Sequence, residues 1–179
     1  ELPARQFWTW DLSVMPPIDQ QITASCRART QNAYVWVADD AWGDDVTQAV
    51  VDAVVDAFEV RTPADPTRGI YAVDVATYGA PPDIDADPHL YLLYLPLAGY
   101  GSYTFDGFFR DVDQSQDPTS NRVEMVQLNS AGTEPADSDY MLGVLMHELV
   151  HLIGSQYDAR EEGWLSEMLA EAAMAIGGY

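Results

Sequence analysis

The chain has 179 residues, and 47% of them are apolar, which is ample material for the buried core of one domain. It carries 29 Asp and Glu against 8 Lys and Arg, a formal net charge of -21 at pH 7. Such a surface repels nucleic-acid phosphates and anionic lipid headgroups, and no apolar run is long enough to span a bilayer, so neither nucleic acid nor a membrane is an expected partner.

Two strands and a helix are predicted in the first part of the chain. Aromatic and β-branched residues predict one strand over residues 6–14 and another over residues 34–38. Apolar residues at helical spacing predict an amphipathic helix over residues 44–60, with Asp44 or Asp45 as its N-cap. This helix is long enough to back a sheet.

The middle of the chain predicts irregular structure and two further strands. Prolines punctuate residues 63–89, which is typical of loops. An unbroken apolar run over residues 90–95 then predicts a buried strand, and residues 123–128 predict another. A Gly- and Tyr-rich loop and a polar stretch separate these two strands.

Two helices are predicted in the last part of the chain. Apolar residues at helical spacing mark the first over residues 139–153, with Asp137 or Ser138 as cap and Gly154 as the stop. The second covers residues 164–176 and ends at a pair of glycines. Strands followed by helices, with one helix among the early strands, predict a single α+β domain over the whole chain.

The first of these helices carries a His-Glu-x-x-His motif, formed by His147, Glu148 and His151. Positions i and i+4 of a helix lie one turn apart on the same face, so both imidazoles can bind one Zn²⁺. Glu148 is turned by about 100° from His147, so its carboxylate can flank the metal and act as general base toward water. Two helix histidines held by ordinary hydrogen bonds are the alternative interpretation.

A catalytic zinc site needs a third protein ligand, and two patterns compete for it. In the metzincin pattern a further histidine follows, as HExxHxxGxxH. Gly154 occupies the glycine position, but Tyr157 stands in place of the histidine and Asp158 comes one place too late. The chain has no histidine after His151, so this pattern supplies no third ligand.

The other pattern takes a glutamate from the following helix. The segment that resembles the WLxEGxA motif of gluzincins is WLSEMLA, residues 164–170, with Met168 where glycine is usual. The resemblance implies that Glu167 is the third zinc ligand. It also implies that Glu171, one turn further on, hydrogen-bonds the outer nitrogen of a ligand histidine. A solvated acidic helix face is the alternative for both glutamates.

The order of segments is similar to that of the hyicolysin-type neutral zinc metallopeptidases, over most of the chain. The matching segments are Phe7-Trp8, residues 34–40, residues 44–60, residues 91–95, Ser120-Asn121 with Glu124-Met125, residues 147–151 and residues 164–167. The resemblance implies a zincin-like fold, in which a mixed twisted sheet has a long backing helix, an active-site helix bears the HExxH motif and a glutamate helix follows. It also implies a substrate-aligning strand before the metal helix, formed here by Val123, Glu124, Met125 and Val126.

The same resemblance implies a secreted or cell-envelope bacterial endopeptidase that acts on polypeptides. A start at Glu1 rather than Met agrees with a processed secreted protein or a trimmed chain. Larger gluzincins continue past the glutamate helix and supply a His or Tyr to the oxyanion, so this chain is either a compact version or part of a longer protein. The nearby candidates here are Tyr140, Tyr157 and Tyr179.

Zinc-dependent hydrolysis of peptide bonds is therefore the expected function. The first alternative is a non-catalytic zincin-like domain that keeps the metal site for binding or as a scaffold, and the second is an acidic domain without metal. The acidic surface also attracts divalent cations such as Ca²⁺, although a solvated surface without a specific calcium site is the simpler interpretation.

Overall fold

The computed structural model describes residues 2–157 and 162–179; Glu1 and residues 158–161, Asp158 among them, lie outside the described residues. The described part is α+β, with a curled mixed sheet of six strands and four helices. The strands are β1 Arg5–Asp11, β2 Ile18–Arg29, β3 Ala33–Ala38, β4 Leu90–Leu95, β5 Gly107–Phe109 and β6 Met125–Asn129. The helices are α1 Gln48–Glu59, α2 Ile70–Tyr78, α3 Asp139–Tyr157 and α4 Gly163–Gly177.

The strands lie in the order β1-β2-β3-β4-β6-β5. Strands β3, β4 and β6 are parallel to one another, whereas β1 and β2 pair antiparallel on one side and β5 pairs antiparallel with β6 on the other. Every residue of the three parallel strands is buried. Such strands are expected at the centre of a sheet, because both of their faces are covered.

Side chains from the two edges of the sheet meet, which requires the sheet to curl. Trp10 of β1 stacks on Phe108 of β5, with the ring centroids 5.2 Å apart. Arg110, just after β5, is fully buried and donates a hydrogen bond to Asp19 of β2 at 3.0 Å. The polar interior of the curl therefore ties the short edge strand β5 to the opposite side of the sheet.

A buried polar network fixes the segment that leads into β6. The side-chain amide of Asn121 donates to Asp113 Oδ1 at 2.9 Å and to the Trp8 carbonyl at 2.8 Å. Gln127 of β6 donates to the other carboxylate oxygen of Asp113 at 3.2 Å. These hydrogen bonds hold β6 against the segment that precedes it and against β1.

Helix α3 is the central helix of the fold. It packs against α4, against α2 and against the β5–β6 side of the sheet. Leu145 and Leu149 are both fully buried on it, and truncating either to alanine would cost about 2–5 kcal/mol of stability. The histidine motif thus sits on a helix that is held firmly by its neighbours.

The helix ends differ in part from those predicted. The helix predicted over residues 44–60 is confirmed as α1, but Thr47 is its N-cap and accepts from the Val50 amide at 3.5 Å, so Asp44 and Asp45 do not cap it. Ser138 caps α3, because its hydroxyl accepts from the Met141 amide at 3.3 Å.

Glycine ends one of the two last helices and not the other. Helix α3 continues through Gly154 to Tyr157, so Gly154 is not the predicted stop. Helix α4 does end at the predicted glycines, where Gly178 adopts φ 87°, a left-handed conformation that glycine enters without strain.

Four strands are confirmed, as β1, β3, β4 and β6, with shifts at their ends. Strand β2, helix α2 and strand β5 were not predicted, and α2 lies inside the segment 63–89 that was expected to be irregular.

The strand expected to align substrate is an interior strand. Val123, Glu124, Met125 and Val126 are all buried. Strand β6 pairs with β4 on one side and with β5 on the other. Val126 pairs with Leu92 on one side and with Phe109 on the other, so no free edge is left at this residue, and the expected role of the four residues stays a prediction. The strand with an open edge is its neighbour β5.

Within residues 2–157 and 162–179, none of the helices combines the length and the apolar character that crossing a bilayer requires.

Candidate metal centre and cleft

Helix α3 directs two imidazoles toward one point. The Nε2 atoms of His147 and His151 lie 3.0 Å apart, and the two side chains are 14% and 16% exposed. This convergence follows from the helical period, which puts residues four apart on the same face. Both imidazoles are therefore largely buried, and their Nε2 atoms point toward the same position.

Helix α4 brings a carboxylate to that position. Glu167 places Oε2 at 3.3 Å from His147 Nε2 and Oε1 at 3.5 Å from His151 Nε2. Helix α4 packs along α3, so the glutamate reaches the histidine pair although it comes later in the chain. The structure thus brings together the two histidines and the glutamate that the sequence singles out.

The spacing of these donors fits a tetrahedral zinc ion. Zinc binds imidazole nitrogen and carboxylate oxygen at about 2.0–2.2 Å, which puts neighbouring ligand atoms about 3.3–3.5 Å apart in a tetrahedron. The two Nε2 atoms are 3.0 Å apart, and each lies close to a different oxygen of the Glu167 carboxylate, at 3.3 and 3.5 Å. Two nitrogens and one carboxylate are also a donor set typical of catalytic zinc. His147, His151 and Glu167 could therefore hold this metal.

The outer nitrogens of the two imidazoles face groups on α4. His151 Nδ1 lies 2.9 Å from the Ser166 hydroxyl, within hydrogen-bond distance. His147 Nδ1 lies 3.8 Å from Glu171 Oε1, longer than a hydrogen bond. Contacts of this kind fix the orientation and tautomer of a ligand histidine. The serine was not singled out from the sequence, whereas the role of Glu171 stays a prediction.

Glu148 stands beside the histidine pair and is nearly buried, at 8% exposed. Burial raises the pKa of its carboxyl to about 7, the charge of Glu167 adds to the rise, and the Phe109 backbone amide opposes it. Burial also lowers the pKa of His151, which favours the neutral imidazole that binds a metal. A carboxyl that titrates near neutral pH can both accept and donate a proton in a reaction.

These side chains line a cleft of about 710 Å³. Its walls come from β5, from α3 and α4, and from Tyr78 at the end of α2. Tyr78 donates its hydroxyl proton to the Leu169 carbonyl at 3.0 Å, and Tyr157, also in the wall, donates to the Ala80 carbonyl at 3.2 Å. This volume lies within the range of ligand-binding clefts in proteins.

Of the three tyrosines considered from the sequence, only Tyr157 lines the cleft. Tyr140 is exposed and hydrogen-bonds Asp106 at 2.7 Å, outside the cleft lining. Tyr179 packs beside Gly143 of α3, and burial raises its pKa to about 12. Tyr140 and Tyr179 are therefore not in position to contact a group bound in the cleft.

Strand β5 presents an open backbone edge to the cleft. The Asp106 carbonyl accepts from the Asn129 amide at 2.8 Å, directly before β5 in the ladder with β6. Peptide groups alternate in direction along an antiparallel strand, so Phe108 turns its polar groups toward β6 while Gly107 and Phe109 turn theirs outward. Both Gly107 and Phe109 line the cleft.

No protein-family model matches the chain, and no curated protein matches it.

Sequence reasoning missed Ser166, Tyr78 and β5 as parts of the site. A strand of three residues is too short to show an alternating pattern, and Tyr78 belongs to a helix that was not predicted. A signal did exist for Ser166, because a hydroxyl next to Glu167 on α4 can reach a histidine on the neighbouring helix.

Proposed function

We propose that the protein is a zinc-dependent peptidase of the gluzincin type, with a zincin-like fold, that hydrolyses internal peptide bonds of polypeptides. The observation that carries the proposal is the convergence of His147, His151 and Glu167 beside the buried Glu148, at the wall of an open cleft. A secreted or cell-envelope location belongs to the same proposal and rests on the family resemblance alone.

His147, His151 and Glu167 would hold the zinc ion, which supplies a Lewis acid that polarises a carbonyl and lowers the pKa of water toward about 7. Glu148 accepts a proton from the attacking water as the water oxygen bonds to the carbonyl carbon of the scissile bond. It then donates that proton to the amide nitrogen, and the C–N bond breaks to release an amine and a carboxylate. The pKa of Glu148 suits this exchange near neutral pH.

The open edge of β5 supports an endopeptidase. Gly107 offers a backbone donor and acceptor and Phe109 a carbonyl acceptor along the cleft, so an extended peptide can add to the sheet as a further strand. Backbone pairing on both sides of the scissile bond needs no free terminus of the substrate. The Phe109 amide also faces the Glu148 carboxylate, which brings the pairing edge next to the proton acceptor.

The decisive experiment compares Glu148→Gln with the unaltered protein on casein and on quenched-fluorescence peptides. We expect the variant to retain zinc by elemental analysis and to lose at least about 100-fold in the rate of hydrolysis, because the amide cannot accept the proton. Glu134→Gln is the matched control, since Glu134 is exposed and outside the cleft lining. Hydrolysis by Glu148→Gln at the native rate would refute the assignment of the base.

The unaltered protein decides between the peptidase and a metal-binding scaffold. Cleavage that stops with a zinc chelator and returns with added zinc supports the peptidase. One equivalent of zinc without cleavage of any peptide in a broad library would favour the non-catalytic domain, and protein without zinc would refute both.

A further inference from the structure

A second group of carboxylates lies outside the cleft. Asp83 and Asp85, in the loop between α2 and β4, meet Glu124, the residue before β6. Their ligand atoms lie within 4.8 Å of one another. The group sits at the end of the sheet where the parallel strands β4 and β6 begin. None of its members lines the cleft or belongs to the zinc centre.

Glu124 distinguishes this group from an ordinary acidic surface. The residue is only 1% exposed. One carboxylate oxygen accepts a hydrogen bond from the Ile84 backbone amide, whereas Oε2 has no hydrogen-bond partner among the described residues. A buried carboxylate oxygen without a partner costs free energy unless something binds it. Its nearest charged neighbours are the two aspartates, which repel it.

No basic side chain in the described parts of the chain forms an ion pair with these three carboxylates. Burial raises the pKa of Asp85, and the charge of Arg5 opposes this rise. The Arg5 guanidinium, however, donates its hydrogen bonds to the Asn121 carbonyl at 3.0 Å and to the Tyr91 hydroxyl at 3.4 Å. Burial raises the pKa of Glu124, and the charges of Asp85 and Asp83 raise it further. No ion pair among the described residues therefore neutralises the negative charge of the group.

We propose that Asp83, Asp85 and Glu124 form a calcium site. The donors are oxygen only, which favours a hard cation over zinc. Calcium binds oxygen at about 2.3–2.6 Å, so oxygens on opposite sides of one ion lie up to about 5 Å apart, and three oxygens within 4.8 Å fit one coordination shell. Two exposed loop aspartates tolerate irregular geometry, as calcium does and magnesium does not.

Calcium in this site joins the loop to the base of the sheet. The loop begins after α2, and its Ala80 carbonyl accepts the hydrogen bond from Tyr157 in the cleft wall. Binding therefore stabilises the folded protein and holds one wall of the cleft. The argument for this site does not rest on the proposed peptidase activity.

The test is a calorimetric titration of CaCl₂ into the full chain, purified without chelators and supplied with zinc. We expect one site with a dissociation constant on the order of 10⁻⁴ M, typical of extracellular calcium modules. The double variant Asp83→Asn/Asp85→Asn should lose calcium binding. The matched control Asp44→Asn/Asp45→Asn removes the same charge from two exposed neighbouring aspartates and should keep it. A His151→Ala variant should bind calcium unchanged, which separates this site from the zinc centre.

Glu124→Gln keeps the acceptor for the Ile84 amide and removes the charge. Without calcium we expect this variant to melt at the same temperature as the unaltered protein or higher, because repulsion is relieved. At 5 mM CaCl₂ the unaltered protein and the Asp44→Asn/Asp45→Asn control should gain several degrees in Tm, by preferential binding to the folded state, whereas Glu124→Gln should not. Binding that survives the double loop variant, an equal gain with MgCl₂, or no gain in Tm of the unaltered protein with CaCl₂ would overturn the proposal.

Discussion

The two histidines of α3 differ in what holds their outer nitrogens. His151 has the Ser166 hydroxyl at 2.9 Å, and His147 has the Glu171 carboxylate at 3.8 Å. A hydroxyl at hydrogen-bond distance restricts the ring more than a carboxylate beyond that distance. The order of the two effects on zinc affinity can therefore be predicted from geometry.

Ser166→Ala should weaken zinc binding by about 10- to 100-fold, because the His151 ring loses the group that fixes its tautomer. Glu171→Gln should weaken it less. Zinc affinity is measured by competition with a chelator of known affinity, and Ser102→Ala, in an exposed turn, is the control. The melting temperature of zinc-free protein should be unchanged in all three variants. A larger loss for Glu171→Gln than for Ser166→Ala would contradict the ranking.

Asp74 of α2 is a buried acid without a counterpart. It is fully buried, and neither carboxylate oxygen has a hydrogen-bond partner among the described residues. Burial raises its pKa from 3.8 to about 8. Between these two pH values the folded state binds one proton more than the unfolded state, so stability falls as pH rises. Above about pH 8 the folded protein contains the buried charge.

Replacing Asp74 by Asn should remove this loss. The free energy of unfolding of the variant relative to the unaltered protein should rise by up to about 1.4 kcal/mol per pH unit from pH 5 to pH 8 and then level off. Urea unfolding at each pH measures the free energy of unfolding of both proteins. In the difference between the two values, the contributions of all other titrating groups cancel. A difference that does not change with pH would show that Asp74 is ionised in the folded state.

At the scale of elements, the cleft depends on the shortest strand. Strand β5 has three residues, yet it closes the sheet beside β6 and carries the open edge at Gly107 and Phe109. Its position is held from two directions, by Trp10 stacking on Phe108 and by the buried Arg110 that follows it. A short edge strand with an exposed backbone is also less prone to pair with another copy than a long one.

Backbone pairing along β5 predicts an alternating response to N-methylated substrates. The series contains peptides that each carry one N-methylated backbone amide. Methylation at every second position should lower kcat/KM by about 2- to 12-fold, which corresponds to the loss of one net hydrogen bond. The intervening amides face away from β5 and serve as internal controls. Equal losses at all positions, or none, would show that substrate does not bind as an added strand.

The sequence reveals the elements that have a strong pattern of apolar residues. Helices α1, α3 and α4 and the buried strand β4 were located because their apolar residues recur at a fixed period or form an unbroken run. Strand β2 was missed because only one of its twelve residues is buried, so its faces do not alternate between apolar and polar side chains. Helix α2 was missed because it is short and lies between prolines.

The site was predictable to the extent that it is local. His147 and His151 share a helix face by their spacing alone, whereas Glu167 came from a family resemblance. The order of strands in the sheet is not local, since β5 precedes β6 in the chain but lies outside it in the sheet. That order places β6 between β4 and β5 and leaves the outer edge of β5 facing the cleft, which no local pattern in the sequence indicates.

For the molecule as a whole, charge is the dominant property. The net charge of -21 surrounds a cleft whose own lining includes Asp111, Glu148 and Glu167. Zinc and calcium would offset part of this charge locally, but most of the surface stays negative. Such a field raises the local concentration of cationic segments and lowers that of anionic ones, and salt screens it over about 10 Å at 0.1 M.

This field should select substrates by charge, in a way that depends on salt. For two peptides with the same scissile sequence, one flanked by lysines and one by glutamates, kcat/KM should be higher for the lysine peptide at 20 mM NaCl. Raising NaCl to 300 mM should lower the first value and raise the second, so that they converge. A neutral peptide flanked by serines corrects for general effects of salt on hydrolysis, and calcium and zinc are kept constant. If the ratio of the two charged peptides does not change with salt, substrate selection by charge comes from close contacts in the cleft and not from the acidic surface as a whole.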